Sequence, residues 1–159
     1  MNRYRVVKYS PEEREWTAPA WTSVSDIGGS FGGVVLTEAG YLEVEERHLA
    51  AVRRFAAAQG VTELCVDGLE IRPESSWWQR VAEGDRLPLD EALELVRSVL
   101  REDFVWCRLS GDDGAFFVHL GYDYYLYIGL TRAPESAVAA TRRSGLHVDP
   151  FESPYLDLC

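Results

Sequence analysis

Between Thr37 and Gln59 the residues Tyr41, Val44, Val52, Phe55 and Ala56 recur at spacings of three and four, with His48 on the same stripe, which is the period of a helix with one buried face. Thr37 supplies an N-cap hydroxyl and Gly60 ends the segment. A second helix is predicted over 89–102, where Leu89, Ala92, Leu93, Val96, Val99 and Leu100 line up. Its acids Asp90, Glu91 and Glu94 lie near the start and Arg97 and Arg101 near the end, as the helix dipole favours. Elsewhere the pattern alternates. Residues 3–9 read as a short strand, and 61–71 as a strand with Leu64, Val66 and Leu69 inward and a bulge at Gly68. Residues 104–109, 115–120 and 124–130 are rich in aromatic and β-branched residues and are joined by short loops, which predicts a three-stranded antiparallel meander. A short helix over 134–143 and an extended tail over 144–159 follow. Between strand and helix, Pro11 to Trp21 is irregular and held by its tryptophans Trp16 and Trp21, and 72–88 is a polar connection carrying Trp77 and Trp78. No repeat or linker divides the chain, so residues 1–159 are expected to form one α+β domain, an antiparallel sheet packed by two main helices.

With 159 residues, 47% of them hydrophobic and 26% charged, the chain can bury roughly 70% of its unfolded surface and needs no disulfide scaffold. Disorder and a collagen-like chain are excluded. Twenty-six acidic against 16 basic residues leave a net charge of −10, which disfavours nucleic acid and anionic membrane surfaces and favours a cationic partner or simply solubility. The excess is concentrated in the middle of the chain: 14 acids against 6 bases over 61–130, compared with 8 against 7 over 1–60. No stretch approaches the ~20 apolar residues of a spanning helix, and Met1–Ser10 lacks the apolar run of a signal peptide, so a cytoplasmic location is expected. Cys65, Cys107 and Cys159 show no ligand spacing and are read as reduced thiols, the first two buried.

The glycine-rich run Ser25–Gly33 lacks the lysine and the following helix of a phosphate loop and is read as turns before an extended Val34–Leu36. Adjacent meander strands offer Cys107 or Ser110, His119 and Asp123 as the residue types of a hydrolase or transferase, although no nucleophile elbow is present. Glu45-Glu46, Asp90-Glu91 and Asp112-Asp113 are sequence neighbours that diverge on a regular element, so no carboxylate pair, metal site or cofactor is expected. Aromatics interleaved with acids are instead the residue set of an interface that receives lysine and arginine. Asp67, Glu70, Glu74, Trp77, Trp78, Asp112, Asp113, Tyr122 and Asp123 are the candidate partner-binding residues. The acids among them, together with Glu83 and Asp85, are expected to share one negative face.

The succession Trp21-Thr22-Ser23-Val24-Ser25-Asp26-Ile27-Gly28, Leu36-Thr37, Tyr41-Leu42-x-Val44-Glu45, Leu100-Arg101-Glu102, His119-Leu120-Gly121-Tyr122-Asp123-Tyr124-Tyr125-Leu126-Tyr127-Ile128-Gly129 and Ser153-Pro154-Tyr155 resembles the small bacterial immunity proteins of polymorphic toxin and contact-dependent inhibition systems. The resemblance implies a cytoplasmic α+β protein that binds a cognate toxin, here one with a basic domain such as a nuclease, and occludes its active site. It brings no catalytic residues, cofactor or oligomeric state. A small hydrolase or transferase using His119 with Asp123 or Cys107 is the alternative, and a nonenzymatic ligand-binding protein a third.

Overall fold

The alternating segments join into one seven-stranded antiparallel sheet in a computed structural model that describes residues 1–9, 20–122 and 124–156. In chain order the elements are β1 (Asn2–Val7), β2 (Ser30–Phe31), β3 (Val34–Val35), α1 (Glu38–Gln59), β4 (Glu63–Ile71), β5 (Arg86–Pro88), α2 (Leu89–Leu100), β6 (Val105–Ser110), β7 (Phe116–Leu120), β8 (Leu126–Leu130), α3 (Glu135–Arg143) and β9 (His147–Pro150). The strand order is β5-β4-β6-β7-β8-β1-β9. The predicted meander β6-β7-β8 is therefore the middle of a larger sheet. The tail expected to be simply extended supplies β9, which pairs with β1.

Both main helices form where their periodicity predicts them. Thr37 accepts the Gly40 amide at 3.1 Å to start α1, and α1 packs on α2, α3, β7 and β8. These helices cover one face of the sheet. Phe55, Leu95, Leu109, Phe116, Leu120, Leu126 and Ile128 are buried between the layers. Trp21 packs edge-on against Tyr124 and tilted against Tyr41, with ring centroids 5.4 and 5.7 Å away. Trp16 lies outside the described residues.

Strands β2 and β3 form a separate hairpin whose two-residue turn, Gly32-Gly33, has φ of 58° and 82°. Positive φ at both central positions is what a tight hairpin turn of this hand requires. On β4 the expected bulge lies between Asp67 and Glu70, around Gly68 at φ 61°. Glu83 closes it, accepting the Gly68 amide at 2.9 Å and the Leu69 amide at 2.7 Å.

Candidate functional site

Side chains alternate across each strand, so the face away from the helices carries a second set of residues. In register across six strands this face presents Asp67, Arg108, His119, Tyr127, Arg5 and Asp149. The row is bounded by ion pairs, Asp67 with Arg108 at 2.8 Å and Asp149 with Arg5. Residues 151–156 cross over it. Phe151 lies against Tyr127 and the Arg5 guanidinium, Ser153 Oγ lies 2.8 Å from His119 Nδ1, and Tyr155 packs on Trp106, His119 and Tyr127.

This arrangement separates the residues of the hydrolase alternative. Cys107 and His119 project from opposite faces, because Arg108, one residue from Cys107, is the residue in register with His119. Burial pushes the Cys107 thiol up to about 12, so it stays protonated at neutral pH. Burial, with a contribution from Arg108, pushes His119 down to about 4. Its ring stacks on Phe117 at 4.3 Å, and Ser153, whose Oγ also accepts the Tyr155 amide at 3.2 Å, is itself buried. The His119–Ser153 contact is thus a closed strut that holds the tail down. Asp123 lies outside the described residues.

Tyr155 also forms part of the wall of an open cleft of about 870 Å³. The floor is apolar, with Leu69, Ile71, Val99, Leu100 and Val105, and the rim carries Tyr122, Phe104, Trp106, Glu70, Glu102 and Arg72. Tyr122 is 83% exposed and Phe104 51%, the highest values among the described aromatic residues. Among the described residues four that are not glycine have positive φ, and three of them, Glu102, Phe104 and Tyr124, line this cleft. A left-handed conformation costs roughly 1 kcal/mol or more per residue and persists where surrounding structure holds it. Here the amide of Arg72 donates to the carbonyl of Phe104 at 3.0 Å, and that of Gly121 to the carbonyl of Tyr125 at 2.8 Å.

A polar network stands behind the cleft. The Tyr124 hydroxyl donates to Tyr41, whose hydroxyl donates to the buried Glu45 at 3.0 Å. Arg97 and Arg101 reach Glu45 from α2 at 2.6–2.7 Å. The two arginines ascribed to the helix dipole thus tie α2 to α1. His48, also buried, has Nδ1 2.8 Å from the Val44 carbonyl and Nε2 3.2 Å from that of Tyr124.

Of the predicted partner-binding residues, Glu70 and Tyr122 meet at the cleft. Glu74 and Trp78 are exposed on the loop after β4 and do not line it. Trp77 is not a surface anchor: it is 3% exposed, and its indole N–H donates to Ser98 Oγ at 2.8 Å. Asp67 does not line the cleft and is paired with Arg108, and Asp112 is paired with Arg86. Glu83 and Asp85 serve backbone amides, Asp85 accepting that of Ala82 at 2.7 Å. Asp112-Asp113 and Tyr122 cannot share a patch at one end of the sheet, since successive meander turns fall at opposite ends of β7, about 17 Å apart for five residues. The side chain of Asp113 lies outside the described set. Phe104, Trp106, Glu102, Arg72 and Tyr155 were not anticipated at a site. Only the aromatic content of 104–106 hinted at them, and it reads equally well as strand core.

Among the described residues no group of three or more His, Cys, Asp or Glu side chains is gathered to hold a metal ion, and no helix is long and apolar enough to cross a membrane. No known protein family, curated protein or solved structure matches the chain.

Proposed function

We propose that this chain is an immunity-type binding protein that neutralises a cognate bacterial toxin in the cytoplasm, presenting the cleft-bearing end of its sheet to a basic toxin domain. The observation that carries the reading is the cleft itself: an apolar floor, an exposed aromatic rim and acidic side chains on a protein of net charge −10. Exposed Tyr122 and Phe104 supply the buried area an anchor needs, and the net negative charge speeds encounter with a basic surface. The burial of Cys107 and His119, on opposite faces of the sheet, favours binding over catalysis by those residues.

Co-expression with the product of the adjacent reading frame tests the reading. The expected result is growth rescue together with a co-purifying complex whose association slows as salt rises. Tyr122→Ala is expected to weaken that complex roughly 30-fold, the size of a central aromatic anchor. Absence of both toxicity to rescue and any complex overturns the reading.

A further inference from the structure

The lining of the cleft specifies more than a basic partner in general. We propose that it is a receptor for one arginine side chain of the bound protein, an inference that rests on the reading above only for the partner's being a protein. Three features converge on that chemistry. The floor of Leu69, Ile71 and Val105 offers apolar surface to an aliphatic stem, which a guanidinium carries and a compact inorganic cation does not. Trp106, Tyr122 and Tyr155 place three aromatic rings in the same lining, and a guanidinium stacks on such faces.

The carboxylates complete the set. Glu70 and Glu102 make no ion pair among the described residues, whereas Asp67, Asp90, Asp112, Asp149 and Glu152 are each engaged with an arginine. Glu102 is held at the rim by a left-handed backbone, φ 58°, at the end of α2. The C-terminal end of a helix adds a partial negative charge where Val99 and Leu100 meet the cleft. Arg72 lines the same space and also lacks an ion pair among the described residues, so the lining carries two carboxylates against one guanidinium. Its charge opposes the incoming one.

The test uses the full chain and two probes, N-acetyl-arginine methylamide and its citrulline counterpart, which keeps the shape of the side chain and removes the charge. Binding is followed by amide chemical shifts and by tryptophan fluorescence. The arginine probe is expected to bind in the millimolar range, as befits a fragment, shifting Tyr122, Glu102 and Trp106, with the citrulline probe roughly tenfold weaker. Glu70→Gln with Glu102→Gln should weaken the arginine probe roughly fivefold and leave the citrulline probe unchanged. Arg72→Gln should tighten the arginine probe. These positions are on the rim, and unchanged amide dispersion confirms the fold of each variant.

Equal binding of the two probes, shifts that map away from the cleft, or indifference to the paired Glu→Gln change overturns the inference. Its failure is distinct from that of the immunity reading. Arginine binding in the cleft without any toxin neutralised removes only the latter, and neutralisation that survives the cleft variants removes only the former.

Discussion

Glu45 has no exposed surface, and four donors converge on it: the Tyr41 hydroxyl, Nη1 of Arg97, and Nε and Nη2 of Arg101. Burial alone would raise its carboxyl; the hydrogen bonds from Arg101, Tyr41 and Arg97 outweigh it and hold the group below the usual carboxylate range. Burial pushes the Tyr41 hydroxyl up to about 12, so it remains a donor to the carboxylate. Glu45→Gln keeps the shape and removes the charge. The expected loss is about 2 kcal/mol, below the usual range for breaking a buried pair because Arg97 retains Glu46 and Glu94 and both arginines reach solvent. Denaturant midpoints measure it. The buried histidines set the pH dependence. Burial pushes both His48 and His119 from 6.5 down to about 4. Between those values the unfolded chain binds protons that the folded one does not, so stability is lost as pH falls from about 6.5 towards 4. Glu45 adds a further loss at lower pH, as the carboxylate itself is protonated. His119→Phe, which preserves an aromatic ring beside Phe117 and cannot take a proton, should reduce the loss between pH 7 and 4.5. An acid limb as steep as the parent's would show that His119 is not one of its sources.

At the scale of elements, the bulge on β4 depends on a residue outside the strand. Gly68 stands at φ 61° with the Arg108 guanidinium 3.1 Å from where a Cβ would lie, and the two bulge amides donate to Glu83 rather than to β6. Those bonds hold the Glu83 carboxyl below its ordinary value. Glu83→Ala is expected to cost about 1 kcal/mol and to accelerate amide exchange at Gly68 and Leu69 ahead of their β4 neighbours. Uniform exchange along β4 would show that the bulge needs no clasp. The bulge was legible because a glycine interrupts an alternating strand; its clasp was not, because 15 residues separate Gly68 from Glu83. The same division holds across the fold. Helix α1, with its cap at Thr37 and stop at Gly60, and the meander β6-β7-β8 follow from local periodicity and short loops. The pairings β1 with β8 and β4 with β6 join distant segments whose alternation fits several partners equally well. Trp77 misled for a related reason: polar neighbours in sequence suggested a surface position, while the fold turns its ring inward on to Ser98.

The whole molecule is closed by its C-terminal segment, which pairs with the first strand as β9 and then crosses the face the helices leave open. Tyr155 therefore serves two places at once, covering His119 and walling the cleft. Glu70 and Tyr122 could be nominated from residue type, but their meeting with Tyr155 depends on this crossing, which no local pattern encodes. Deleting residues 151–159 separates the contributions. The deletion keeps β9 through Pro150 and all three helices, removes the rings of Phe151 and Tyr155 from the row, and takes away the Ser153 contact to His119. Solvent then reaches the imidazole, and the main cause of its depressed affinity for protons, burial, is relieved. Histidine titration by NMR is expected to show His119 rising from about 4 towards the ordinary 6.5, stopping short because Arg108 remains beside it, while His48, on the buried face of α1, stays near 4. The arginine probe should bind more weakly as well, because the Tyr155 ring has gone from the cleft lining. An unmoved His119 titration in a folded deletion variant would mean that the sheet itself buries the ring and that the tail is not its cover.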